Sequence, residues 1–346
     1  MEQSRRGITG SSLKIIAIVA MFIDHFAAIF IERYLMFNAP GIFTTTEQVT
    51  SWSQKNPMYG YLYFAYNIMR FIGRFAFPIF CFLLVEGMGH TRSIAGYARN
   101  LAIFALISEL PFDLGFSGKL VNWEDQNVFF TLLIGLLVIW SLQVMGEKKR
   151  SCPKWMFGIS YLLFGGVCTY LVGRSEIGGT FKTVINKVAL QKLSEGAAME
   201  EVSSFMITAE FCVIFGTLFL ALILLVLQAR KWGEERKIRF SMGMPVVCAG
   251  VLLADLLKTD YGCFGVLTIV VMYLFRENRR KEMEWGCLLL TIMNLIEGAT
   301  FLMVGPVLRY NGKRGLKLKY AFYAFYPVHL LLIHFLSCSI GLPTIS

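Results

Sequence analysis

Apolar residues run along this chain in long stretches, at 13–34, 61–89, 97–116, 128–145, 155–173, 205–229, 242–257, 261–276, 285–305 and 318–340, parted by short charged loops. A helix needs about 20 apolar residues to cross a hydrocarbon core of about 30 Å. The pattern therefore predicts an all-α, polytopic integral membrane protein with about ten transmembrane helices. Pro78 and Pro111 fall inside the second and third stretches and predict kinks or a re-entrant turn, tolerated where protein or a cavity satisfies the freed backbone groups. Between 173 and 204, Phe181, Val184, Ile185, Val188 and Leu193 recur at near-helical spacing with Lys182, Lys187 and Lys192 between them. That is the pattern of an amphipathic helix lying on the outer surface. No internal repeat, low-complexity tract or soluble domain is visible, so 1–346 reads as one membrane domain.

Composition sharpens this. Of 346 residues, 56% are hydrophobic and 16% charged, with a mean hydropathy of +0.59. Soluble domains carry roughly 25% charge, so a water-soluble fold is excluded. The net charge of +10 would suggest nucleic acid in a soluble protein. Here the basic residues sit in alternate loops: Arg5, Arg6 and Lys14; Arg92 and Arg99; Lys148, Lys149 and Arg150; Arg230, Lys231, Arg236, Lys237 and Arg239; Arg276, Arg279, Arg280 and Lys281. Topology explains them, with both termini cytoplasmic, the bilayer as partner and no nucleic acid. The setting expected is the inner (plasma) membrane of the cell. The eight cysteines are scattered without a C-x-x-C pair, so neither a disulfide framework nor zinc is indicated. The first stretch follows Arg5 and Arg6 as a signal sequence would, yet it is too long, lacks a small-residue cleavage site and carries Asp24 and His25. It reads as a retained span.

Ionisable residues inside apolar stretches are expensive and default to function. Asp24 and His25 lie near the middle of the first helix. Lys14 and His25 share one face about 16 Å apart along the axis, with Ile18 and Met21 between them. The neighbouring face is Ala17, Ala20, Asp24, Ala27 and Ala28, which gives either close helix packing or room for a narrow ligand. In the second stretch Arg70 and Arg74 lie one turn apart, as do Glu86 and His90. Arg70 is placed to snorkel outward, whereas Arg74 needs a carboxylate, a carbonyl or an anion. Glu109 and Asp113 bracket Pro111 and are the nearest candidates to pair it. Later come Asp255, Asp260-Tyr261-Gly262, Asn294, Glu297, a basic Tyr310-Asn311-Gly312-Lys313-Arg314-Gly315 segment expected on the outer side, and His329 after Pro327. No phosphate-binding glycine loop or metal constellation appears, so nucleotide hydrolysis and metal chemistry lack support.

At these residues the chain resembles the TraX family of membrane proteins, named for a plasmid conjugation protein that N-acetylates pilin. The likeness runs nearly end to end. It is carried by Leu13-Lys14 to Asp24-His25, Gly73-Arg74-Phe75-Ala76-Phe77-Pro78 to Glu86-Gly87 with His90-Thr91-Arg92, and Ile107 to Asp113. Gln126 to Thr131, Asp260-Tyr261-Gly262, Tyr310 to Gly315 and Tyr326-Pro327-Val328-His329 complete it. TraX proteins in turn resemble membrane acyltransferases that acetylate saccharides, whose first helix carries a basic residue and, after ten intervening positions, a histidine. Lys14 and His25 fit that spacing, with lysine where arginine is usual, so bidentate phosphate recognition is lost at that point.

The resemblance implies an acetyl-CoA-dependent acyltransferase. Acetyl-CoA would be the donor, and the acceptor an extracytoplasmic or membrane-associated peptide amine or saccharide hydroxyl, with no metal. On this reading His25, with Asp24, Glu109 and Asp113, carries the catalysis. Lys14, Arg70, Arg74, Asn311, Lys313 and Arg314 hold the donor, with Arg74 and Asn311 as oxyanion donors, and Glu86, Asp260, Tyr261 and His329 shape the acceptor side. A proton-coupled secondary transporter or flippase would use the same groups but calls for inverted repeats, which are not seen. A scaffold would leave Asp24, His25 and Arg74 without a reason to be buried.

Overall fold

The computed structural model describes residues 7–146, 151–316 and 319–342. Arg5, Arg6, Lys148, Lys149 and Arg150, on which part of the charge pattern rests, lie outside them. Helix α1 (Gly10–Phe26) is capped by the Thr9 hydroxyl, which accepts from the Ser12 amide. It continues through a π-helical turn (Ala27–Ile31) into α2 (Glu32–Asn38), a rod about 43 Å long. A surface helix α3 (Thr46–Lys55) leads to α4 (Pro57–Gly73) and α5 (Ala76–His90). Then follow α6 (Ile94–Phe116), α7 (Val128–Gly146), α8 (Lys154–Arg174), α9 (Glu176–Ser194), α10 (Met199–Ala229), α11 (Glu234–Leu256), α12 (Gly262–Phe275) and α13 (Arg279–Met293). A 3-10 helix (Leu295–Met303), α14 (Val304–Leu308) and α15 (Lys319–Ser339) complete the chain.

Among the described residues, seven helical stretches are long and apolar enough to cross a membrane, fewer than the ten expected. The shortfall has simple causes. Helix α6 carries Arg99, Glu109 and Asp113, and the stretches 262–275 and 295–308 are apolar but short. The kink expected at Pro78 is realised as a break at Arg74 and Phe75. Pro78 falls in the first turn of α5, where no helical partner for its missing amide is needed. Pro111 remains inside α6. The surface helix expected in 173–204 forms as α9, with Ile185 and Ala189 buried and Phe181 and Val184 exposed.

The small-residue face of α1 goes to packing. Ala17, Ala20 and Ala27 are buried where α4 and α5 close on α1, so no room for a ligand is left there. The closest approach is at Gly73, where a Cβ would collide with the Asp24 side chain. Gly73→Ala is therefore expected to lower stability by about 1–3 kcal/mol, the cost of overpacking, read as a drop in the melting temperature of the detergent-purified protein. An unchanged melting temperature would show that α4 does not close on Asp24.

Two expectations about sidedness are corrected. The apolar stretch 285–305 is not one span. Asn294 adopts an extended conformation and its side chain caps the following 3-10 helix, so α13 and the 3-10/α14 limb form a hairpin. Its two ends meet where Arg279 Nη1 donates to the Tyr310 carbonyl at 2.6 Å. The basic segment 310–315 thus returns to the side where α1 begins. Ile8 donates to the Arg309 carbonyl and accepts from the Asn311 amide, and Gly10 and Ser11 donate to the carbonyls of Lys313 and Arg314. The positive charge that seemed misplaced on the outer side now agrees with the other basic loops. Helix α15 then runs parallel to α1, with Lys14 over the Phe322 ring and His25 bonded to His329. Its end accordingly lies on the face opposite the start of α1, not on the same face. A reporter enzyme active only outside the cytoplasm, fused after Ser339, is expected to be active, and the same reporter inserted at Gly312 silent. The reverse pattern would restore a single span at 285–305.

Candidate active site

The α1 rod brings Asp24 and His25 about 21 Å from its first residue, and six other parts of the chain meet them there. They enclose a cavity of about 330 Å³. Met21, Asp24 and His25 line it from α1, and Arg70, Gly73 and Arg74 from the end of α4. Phe77 comes from α5, Asp113 and Phe116 from α6, Asn122 and Asp125 from the α6–α7 loop, Asp260 and Tyr261 from the α11–α12 turn, and Tyr326 from α15. Since α6 ends and α7 begins on the face opposite the start of α1, the cavity reaches toward that opposite face.

Its charged wall is a network. Arg70 Nη1 lies 2.8 Å from Asp24 Oδ2, and Arg74 Nη2 lies 3.6 Å from Asp24 Oδ1. Arg74 Nη1 donates to Glu297 Oε1 at 2.8 Å, and its Nε to the Arg70 carbonyl. Arg70 is therefore tied into the protein instead of snorkelling, and Asp24 faces these guanidinium groups, not His25. Glu109 and Asp113 do not pair with Arg74. Glu109 accepts from the Asn127 side chain, and Asp113 Oδ2 accepts from the Asn122 amide at 2.9 Å, so both brace the start of α7 and the loop before it.

His25 belongs to a second chain of contacts. Its Nδ1 is 2.7 Å from His329 Nε2, and His329 Nδ1 is 2.8 Å from the Phe325 carbonyl. The two imidazoles are nearly parallel, and Phe116 and Tyr326 stand edge-on to His25. Asp260-Tyr261-Gly262 forms a tight turn in which Tyr261 (φ +62°) and Gly262 (φ +46°) are both left-handed. For a tyrosine that conformation costs of order 1–3 kcal/mol. Stacking of Tyr261 on Phe77, with centroids 3.8 Å apart, helps hold it. Thr131 donates to the Asp260 carbonyl, and the Asp260 amide to that of Gln126. In this turn, burial pushes the Asp260 carboxyl up to about 7 against the pull of the Arg74 guanidinium.

The expected site residues thus divide. Asp24, His25, Arg70, Arg74, Asp113, Asp260 and Tyr261 line one cavity, with His329 directly behind His25, whereas Glu109 is outside the lining and holds Asn127 at the start of α7. Asn311, Lys313, Arg314 and Lys14 stand at the start of α1, and the Asn311 side chain donates to the Gly7 carbonyl. About 22 Å of helix rise separates that end from His25, so Asn311 does not share an oxyanion with it. Glu86 is also on the starting face, paired with His90 at 3.2 Å. Asn122 and Asp125 on the cavity wall, and Glu297 behind it as the partner of Arg74, are the groups that sequence reasoning left unassigned. Glu297 carried a signal, a lone carboxylate in an apolar run, whereas the two loop residues carried none. Arg33 was also passed over. It is buried, with Nη2 2.5 Å from the Gly115 carbonyl, and joins α2 to the end of α6.

The family model described as TraX protein matches residues 9–176 and 177–337. A probable fimbrial assembly protein FimC, serogroup H1, from Dichelobacter nodosus is 31% identical over 134 residues, covering 37% of this chain. The matched region spans 43% of that relative's length. No solved structure matches the chain.

Proposed function

The chain belongs to the TraX family, and from that premise we propose that it is a membrane-embedded acyltransferase moving an acetyl group from acetyl-CoA to an amine or hydroxyl acceptor. The observation that carries this reading is His25, an imidazole on the wall of a cavity deep in the membrane domain, with one nitrogen engaged by His329 and the other left for chemistry. The acceptor nitrogen or oxygen attacks the thioester carbonyl. His25 takes its proton, the new C–N or C–O bond forms as the C–S bond breaks, and the proton passes to the departing thiolate. Arg74 and Arg70, on the same wall, face the oxyanion that develops.

The acceptor enters from the face that the cavity reaches, past Asn122, Asp125 and Asp260. The relative's name speaks of fimbrial assembly, which favours a pilin-like peptide amine over a saccharide. The donor comes from the face where α1 starts, its phosphates near Lys14, Lys313 and Arg314. Its thioester end meets Met21 and His25 where α1 lines the cavity.

The test is transfer of labelled acetyl from acetyl-CoA by the protein in lipid nanodiscs, offered an amine-terminated peptide and a saccharide. Label in either acceptor, with stoichiometric CoA thiol released, is expected. Acetyl-CoA at about 100 times its dissociation constant should also add about 2.7 kcal/mol of folding stability. Neither transfer nor stabilisation would displace this reading in favour of a proton-coupled transporter.

A further inference from the structure

We infer that His329 is a positioning residue that fixes the tautomer of His25, holding its Nδ1 protonated and its Nε2 free as the proton acceptor. Sequence reasoning had placed His329 among groups that shape the acceptor; the geometry gives it another task. A backbone carbonyl only accepts hydrogen bonds, so the 2.8 Å contact of His329 Nδ1 with the Phe325 carbonyl requires the proton on Nδ1. In a neutral ring the other nitrogen, Nε2, then carries only a lone pair. Nε2 is the atom 2.7 Å from His25 Nδ1, so His25 must donate in that bond. The carbonyl at one end thereby sets every hydrogen in the chain, from Phe325 through His329 to His25. The remaining nitrogen of His25, Nε2, is the one left to the cavity that the ring lines.

The arrangement is built to keep this order. His329 is 3% exposed, stacked on Phe325 at 4.7 Å and flanked by Tyr326, and a flipped ring would lose the hydrogen bonds of both nitrogens. Its carbonyl partner is one turn back on the same helix, so α15 alone sets the direction. Orienters of catalytic histidines are more often carboxylates. The carboxylate adjacent to His25, Asp24, is turned away and held by Arg70 and Arg74. A neutral orienter fixes the tautomer without stabilising an imidazolium electrostatically, which suits a base that passes its proton on promptly.

The inference rests on the acyltransferase reading for its consequence, but its direct test does not. Nitrogen-15 spectra of histidine-labelled protein in nanodiscs at neutral pH, with His25 assigned by comparison with His25→Gln, should show His25 Nδ1 protonated and Nε2 bare. The Nε2-protonated form in the wild-type protein overturns the inference, whether or not transfer activity is found. In the transfer assay, His329→Leu keeps the volume and removes the acceptor. It should lower kcat about 10²–10⁴-fold, the scale of a wrong tautomer, with KM for acetyl-CoA within about threefold. His329→Gln, whose side-chain oxygen can stand where Nε2 did, should recover at least about tenfold of that loss. Equal kcat in His329→Leu and the wild type, or equal loss in both variants with unchanged melting temperatures, overturns it. Absence of transfer in the wild type with the expected spectrum sinks the enzymatic reading and leaves the assigned tautomer standing.

Discussion

Replacing Arg74 by methionine is expected to destabilise the protein by about 3–5 kcal/mol, the cost of stranding a buried charge. Arg74 is the described partner of Glu297, whose side chain is 1% exposed and whose second oxygen, Oε2, has no hydrogen-bond partner. Without the guanidinium, Glu297 must either stay ionised in a medium of low dielectric or take up a proton, and both cost free energy. Asp24 fares better, because Arg70 still holds its Oδ2 at 2.8 Å. The second half of the prediction separates charge from packing. Arg74→Met combined with Glu297→Gln removes the stranded carboxylate and should regain more than half of the loss. Thermal unfolding of the three variants in one detergent measures this. A single variant that melts with the wild type would mean that water already reaches Glu297.

Much of this was legible in the sequence, and the reasons for success and failure are physical. Burying an ionisable group in hydrocarbon costs several kcal/mol or more, so Asp24, His25, Arg70, Arg74 and His329 stood out as charges in apolar runs, and most of them converge on one cavity. The pairing within that set was not legible. Adjacent helix positions point about 100° apart, which parts Asp24 from His25, but nothing in the one-dimensional pattern says that Asp24 meets α4 while His25 meets α15. The hairpin at Asn294 was missed for a related reason. Hydropathy registers length and polarity, and an apolar run of about 20 residues looks the same whether it crosses once or turns back. The extended Asn294 and the 3-10 limb after it are backbone events, and one miscounted crossing inverted the side assigned to Asn311, Lys313 and Arg314.

That inversion matters for the chemistry. With 310–315 beside the start of α1 and the cavity reaching the α6–α7 loop, the basic groups suited to phosphates and the carboxylates suited to an ammonium lie on opposite faces, with His25 between them. The proposed transfer would need that polarity if its donor and its acceptor reached the membrane domain from opposite faces.

His25→Ala is expected to reduce acetyl transfer about 10²–10⁴-fold, the contribution of a positioned general base, or about 2.7–5.5 kcal/mol in activation free energy. The loss should fall on kcat, because the ring meets the acceptor proton in the transition state and little of the donor, so stabilisation by acetyl-CoA in thermal unfolding should persist. Some stability will go as well, about 1–3 kcal/mol, since His329 Nε2 is left buried without its partner. A direct control follows from the cavity itself. Removing the imidazole enlarges a space that already holds about 330 Å³, so imidazole added to the His25→Ala protein should enter it and restore part of the rate, whereas an apolar ring of the same size should not. Rescue by imidazole would place the missing function in proton transfer at that point in space. Full activity without rescue would move the base to another group on the wall, of which Asp260, with its carboxyl pushed up to about 7 by burial, is the next to test.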